Sequence, residues 1–342
     1  MALHTPVGSS KTKMLRQTFL NVTMLILAAL VMGVEPVQSA QEKHSSWRAG
    51  PFAPLPEVPK LDLRKVQLGE QLFHDTRLST NDTISCASCH DLNNGGVDGR
   101  AMSLGVDDQE GSINTPTVFN SALNFSQFWD GRASSLEEQA AGPVHNPAEM
   151  GSNWDEVSAK LSSDPDIKDA FKELYDDGIT GDNIVDAIAT FERTLITLNS
   201  PFDRYLRGDE DAISAQTKRG YELFQTYGCA SCHQGANVGG NMYQTMGAMG
   251  DYFGDRGNVV DSDQGRFHVT GRDKDRHVFK VPSLRMVAHT PPYLHDGGAK
   301  TIEDAVNVMA KYQIGRDLPS EDLTAIVEFL KSLAGEYKRY AP

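Results

Sequence analysis

Cys86-Ala87-Ser88-Cys89-His90 recurs letter for letter at Cys229-Ala230-Ser231-Cys232-His233, and the two copies hold all four cysteines of the chain. Two thiols two residues apart, with a histidine directly after them, have the spacing that attaches c-type haem. The thiols form thioethers to the two haem vinyl groups, and the histidine is held beneath the iron as its proximal ligand. His90 and His233 are read as those ligands, with Cys86, Cys89, Cys229 and Cys232 as the attachment points of two covalent haems. Two other chemistries use paired cysteines. A redox dithiol does not require histidine after the second cysteine, and both copies have it. A single four-cysteine zinc site would have to bring two distant pairs together and would leave both histidines unexplained. No cysteine remains for a disulfide framework.

The elements around the motifs read as helices. Val66–Phe73 and Lys218–Phe224 both carry Gly-x-x-Leu-Phe and both precede a haem motif. A helix-then-motif unit that occurs twice implies a duplicated domain. Ser134 or Ser135 caps a predicted helix through Leu136, Gln139 and Ala140, and Pro143 and Pro147 bracket a break before Glu149. Trp154–Leu161 and Ile167–Tyr175 are amphipathic. Asp182–Leu198 places Ile184, Ile188, Phe191, Leu195 and Leu198 on one face, and Asn199-Ser200-Pro201 ends it. Phe202–Asp211 is the expected interdomain connection. Thr301–Ala310 and a last helix capped by Ser320 complete the set, while the glycine-rich stretches 93–99 and 235–263 read as loops. No strand-like alternation of useful length is present, so the class is mainly α with long ordered loops.

The chain has 342 residues and a formal net charge of −14. That charge argues against nucleic acid as a partner. It suits a small cationic electron carrier, and it equally serves solubility. Residues 1–40 read as an export signal. Lys11, Lys13 and Arg16 give a basic start, Phe19–Val34 is mostly apolar, and Val37-Gln38-Ser39-Ala40 offers small residues for cleavage. Met14 is an alternative start, and an uncleaved anchor is the alternative reading of the apolar run. Periplasmic export suits c-type haem, which is attached outside the cytoplasm. Residues 41–60 hold Pro51, Pro54, Pro56 and Pro59, too closely spaced for a helix, and read as an extended lead-in.

Beyond the two haem motifs, Phe128-Trp129-Asp130-Gly131-Arg132-Ala133, Asn146-Pro147-Ala148-Glu149-Met150-Gly151, Phe279–Arg285 and Pro291–Gly298 stand in one order along the chain. Together they resemble the bacterial di-haem cytochrome c peroxidases, over roughly residues 60 to 335. The resemblance implies two cytochrome c-like helical domains, 61–203 and 204–342, each with one covalent haem. It implies reduction of hydrogen peroxide to water at the first haem. Electrons from a small cytochrome c or copper protein would enter at the second. Glu149 matches the distal acid–base residue, which moves a proton from one peroxide oxygen to the other. Gln139 matches a second distal-pocket residue, and Trp129 matches the residue between the haems. Met309 matches the axial ligand of the second haem, although on chemistry alone Met242, Met246, Met249 and Met286 compete with it. Asn114, Thr290 and Pro292 match positions that bind calcium between the domains, the last two through carbonyl oxygens. A homodimer is left open.

One position departs from the family. Members that need reductive activation carry a histidine after the first motif as sixth ligand of the peroxidatic haem, and Val106 stands there in this chain. Valine cannot ligate iron, so an open, five-coordinate first haem is expected, with His74 and His145 as the remaining histidines of that domain. The protein-oxidising maturase branch of the superfamily also has an open first haem, but carries tyrosine where this chain has Met309. A plain electron-transfer cytochrome is a third reading, one that needs two saturated irons and no Glu149.

Overall fold

Two helix pairs built alike organise the chain. In the computed structural model, which describes residues 50–341, the helices in chain order are α1 (Leu63–Phe73), α2 (Leu136–His145), α3 (Trp154–Ser162), α4 (Pro165–Leu174), α5 (Gly181–Glu192), α6 (Pro201–Leu206), α7 (Ala215–Thr226), α8 (Ile302–Gln313) and α9 (Ser320–Lys331), with shorter helical turns between them. α1 packs on α5, and a Cβ at Gly69 would collide with the Ala187 carbonyl and crowd Phe191. α7 packs on α9, and a Cβ at Gly220 would collide with the Ala325 carbonyl and crowd Phe329. The glycine of each Gly-x-x-Leu-Phe segment therefore does the same job, letting two helix backbones approach where any side chain would hold them apart.

Each pair anchors its own apolar cluster. Val66, Leu72, Phe73, Val157, Phe171, Ile188 and Phe191 belong to the first, and Phe224, Ile326, Phe329 and Leu330 to the second. A smaller cluster of Tyr252, Phe253, Phe279 and Tyr312 takes Trp129 against it. The class is mainly helical, as expected. Among the described residues the strands are two short antiparallel pairs: β1 (Thr197–Leu198) with β4 (Glu336–Tyr337), and β2 (Tyr243–Thr245) with β3 (Val278–Lys280).

Several elements differ from the sequence reading. The helix expected over Asp182–Leu198 stops at Glu192. Thr194, Ile196 and Thr197 are β-branched and favour extension. Thr197 and Leu198 pair with β4 instead, and the Asn120 side-chain carbonyl accepts from the Thr197 N–H (3.0 Å). The segment read as a connection starts as helix α6, with Phe202 and Leu206 in the second cluster. The break bracketed by Pro143 and Pro147 is kept: α2 ends at His145, and the carbonyls of Gly142, Pro143 and Val144 find donors in the following turn, at Asn146, Met150 and Ser152. Ser320 is the first residue of α9 rather than its cap, a place held by Pro319.

The ends of the described chain cross over. In the lead-in, Phe52 is buried in the second cluster against Phe202, Phe224 and Phe329. Tyr337 and Tyr340 pack against the first cluster, and Tyr340 Oη accepts from the Leu61 N–H (3.1 Å). Asp203 and Arg285, both fully buried, pair at 2.9 Å, and Asp203 also accepts from the Leu55 N–H of the lead-in. Among the described residues no helix is long and apolar enough to cross a membrane. The export-signal reading lies outside the described residues.

Candidate active site

Both motif histidines sit where burial favours the neutral imidazole. With its proton on Nδ1, His90 donates to the Gly96 carbonyl (3.3 Å), which leaves the Nε2 lone pair for a metal. His233 Nδ1 is buried without a hydrogen-bond partner, and burial pushes the imidazole down to about 4 against a smaller opposite pull from the backbone at Val238 and Pro282. Burial lowers His90 as well. A neutral imidazole is the metal-binding form.

The cysteines separate the competing chemistries. Burial pushes the Cys86 thiol up to about 12, with the charge of Glu192 adding to it, and raises Cys89 and Cys229 to about 11. A redox dithiol depends on a lowered thiol pKa, the opposite of what these sites provide. Among the described residues no three His, Cys, Asp or Glu side chains gather to hold a metal ion, so the cysteine pairs do not combine into one zinc site. Neutral histidines beside the raised Cys86, Cys89 and Cys229 thiols fit haem c better than a redox dithiol.

Glu149 stands beside the first motif, where its charge acts on both Cys86 and Cys89. Asn146 Nδ2 donates to its Oε1 at 2.6 Å, and Asn146 Oδ1 accepts from the Ala148 N–H, so one amide fixes the turn and aims the carboxylate. Burial raises the Glu149 carboxyl above its ordinary value, with the Asn146 bond and the Arg132 charge pulling the other way. Arg132 itself lies 3.4 Å over the Phe128 ring. The sequence reading passed over Asn146 and Arg132, although both lie inside the motifs that located Glu149 and Trp129. Gln139 sits in α2, N-capped by the Ser135 hydroxyl (3.1 Å).

Val106 is buried, 2% exposed, and its N–H donates to the Glu149 carbonyl (2.8 Å). A Cβ at Gly105 would collide with the backbone of Ala148 and Glu149, so the loop lies tight against the turn that carries the carboxylate. His74 and His145 are exposed and bonded through Nδ1 to the Glu70 and Ala141 carbonyls of their own helices.

Trp129 is held from both halves of the chain. Its indole N–H donates to the Asn114 carbonyl (2.8 Å), its carbonyl accepts from Lys280 (2.7 Å), and its ring meets Phe279 and His295 edge-on. Asn114 donates its amide to the Arg100 and Ala101 carbonyls, which turns Oδ1 away from them. Thr290 closes a turn before Pro291 and Pro292. Met309 lies in α8 next to Val308, which packs on the Phe253–Phe279 cluster. Of its competitors, Met249 is 65% exposed and Met286 packs in the first cluster, while Met246 packs with Trp129 on the same cluster as Val308.

The sequence profile described as di-haem cytochrome c peroxidase matches residues 63–211. The chain is 45% identical over 287 residues to cytochrome c551 peroxidase of Nitrosomonas europaea, covering 84% of each. The chain belongs to the di-haem cytochrome c peroxidase family. It is also 51% identical over 294 residues to cytochrome c peroxidase Ccp of Escherichia coli, across 86% of this chain but 63% of that longer one. The crystal structure of a MauG-like protein associated with microbial copper homeostasis superposes with a TM-score of 0.73 at 28% identity, over 85% of this chain and 95% of that one. Membership of this peroxidase family makes the chain an oxidoreductase of a class that acts on hydrogen peroxide, with haem c as the family's cofactor.

Proposed function

We propose that the protein is a periplasmic di-haem cytochrome c peroxidase, reducing hydrogen peroxide to two waters with two electrons and two protons. The electrons come from a small cytochrome c or copper protein. The observation that carries this reading is Glu149, a carboxyl aimed by Asn146 beside the first Cys-x-x-Cys-His motif and raised by burial. When bound, haem supplies the iron that takes peroxide and the redox centre that stores electrons. Cys86, Cys89 and His90 would hold the first haem, in a domain over 61–203, and Cys229, Cys232, His233 and Met309 the second, over 204–342. Glu149 takes a proton from one peroxide oxygen and returns it to the departing one, with Gln139 as a hydrogen-bonding neighbour. The Glu149 carboxyl fits a proton carrier because its charged form is not locked in an ion pair. Trp129, gripped by Asn114 and Lys280, would lie on the route between the haems. Val106, whose side chain cannot ligate iron, would leave the sixth position of the first haem open. Asn114 Oδ1 and the carbonyls of Thr290 and Pro292 are candidate calcium ligands between the domains.

A MauG-like oxidation of a protein side chain is the second reading, favoured by the same Val106 and opposed by Met309. Steady-state oxidation of a reduced small cytochrome c by peroxide tests the choice. Turnover at hundreds per second or less, saturable in both substrates, is expected. Peroxide consumption without any donor oxidation would overturn the peroxidase reading.

A further inference from the structure

We propose that Lys280 is the cationic partner of a haem propionate, tying the cofactor's acid edge to the Trp129 loop. The inference rests on the haem reading of the two motifs. Lys280 ends β3, and its N–H donates to the Trp129 carbonyl (2.7 Å). Across the sheet it stands opposite Tyr243, and the next pair along is Phe279 with Gln244, whose amide reaches Cys232 Sγ at 3.7 Å. The chain then runs through Val281, which accepts from the Gly240 N–H, to Pro282, whose carbonyl lies against Gly239 beside His233 Nδ1. The strand end thus lies between Trp129 and the second haem motif.

Lys280 is only 7% exposed, and among the described residues no carboxylate, carbonyl or aromatic ring partners its ammonium. The protein treats its other enclosed cations differently. Arg285 is fully buried and meets Asp203, the Ser200 hydroxyl and the Ala53 and Ala236 carbonyls. Arg256 meets both Asp263 and Asp296. A charge so largely enclosed and left without an ionic partner is costly, so a lysine kept in such a place suits an anion. The propionates are the anions that haem brings, and a four-carbon stem with a point charge suits a flexible carboxylate. Burial alone brings this ammonium down to about 8, which leaves it largely charged at neutral pH and ready to pair with a carboxylate.

A fixed positive charge beside a haem favours its reduced state. The test is a redox titration of each haem, followed by visible spectra, in the holoprotein and in the Lys280→Met and Lys280→Arg variants. Lys280→Met should make one haem about tenfold harder to reduce at fixed ambient potential, ~59 mV for one electron. Lys280→Arg should stay near wild type, and the haem that moves identifies the propionate's owner. Unchanged potentials for both haems in Lys280→Met, or an equal loss in Lys280→Arg, would overturn the inference. Should Lys280→Met yield no folded holoprotein, Lys280→Gln provides an uncharged residue that tolerates burial in polar surroundings. Resonance Raman of the wild type needs no variant: a propionate bending band shifted by hydrogen bonding is expected, and only free-propionate bands would count against the pair. A pyridine haemochrome assay read first separates the two levels, because absence of covalent haem would defeat the haem reading itself.

Discussion

Val106 donates its backbone N–H to the carbonyl of Glu149 at 2.8 Å. The loop where the family resemblance puts a ligating histidine is thereby fastened to the turn of Glu149, the proposed acid–base residue. A side chain that had to leave the iron before peroxide could enter would drag that turn with it. On the proposed reading Val106 gives this loop no ligand to release.

The resting ferric holoprotein should therefore show one high-spin and one low-spin signal by EPR, and should react with peroxide without prior reduction of the second haem. Two low-spin signals would mean that another side chain fills the site. His74 and His145 would then have to leave the helix carbonyls that hold them.

Glu149→Gln keeps the shape of the side chain and removes its ability to carry a proton. Peroxide turnover should fall roughly 10²-fold or more with both haems retained. In the wild type, the raised carboxyl must lose its proton to act as base, so the rate should drop as pH falls through a midpoint above the ordinary glutamate range. A turnover near normal in the variant, or an acid limb at the ordinary glutamate value, would place the base elsewhere.

Met309→Leu should make the second haem at least about tenfold harder to reduce, ~59 mV, because a thioether ligand raises the potential. Met246→Leu is the control, since Met246 packs on the same cluster. The reverse pattern would reassign the ligand.

Glu192 ends α5 only 6% exposed, with Oε2 unpartnered, and burial pushes its carboxyl up to about 8. The nearby Arg193 pairs with Glu137 at 2.6 Å. The folded state holds this proton more tightly than the unfolded chain. Stability should therefore fall as pH rises from the usual glutamate range to about 8, by up to ~1.4 kcal/mol per pH unit, and level off above. Glu192→Gln should flatten that decline in denaturant unfolding followed from pH 5 to 9. A variant that keeps the wild-type slope would assign it to another group.

The haem motifs and the paired glycine helices were legible in the sequence because local spacing encodes them. Gly69 and Gly220 occupy matching places in a repeated pattern, and each presses on a helix carbonyl far along the chain. The stop at Glu192 was not legible, because Leu195 and Leu198 continue the helical period while the pairing of Thr197 and Leu198 with β4 is decided nearly 140 residues away. The burial of Lys280 and Glu192 was equally hidden. A charged residue in a sequence reads as surface until the fold encloses it. Asn146 lay in plain view inside its motif, but only the 2.6 Å contact gives it a task.

The crossing of the two ends has a consequence for how the chain can be divided. Phe52, which precedes the first haem motif, completes the apolar cluster of the second, and Tyr337 and Tyr340, which follow the second, cover the cluster of the first. A cut between Leu206 and Ala215 would not release two self-sufficient modules. Each fragment would carry the other's stopper and lack its own, so the pieces would stay mated through swapped plugs. Two halves built alike are in this way closed by each other's ends.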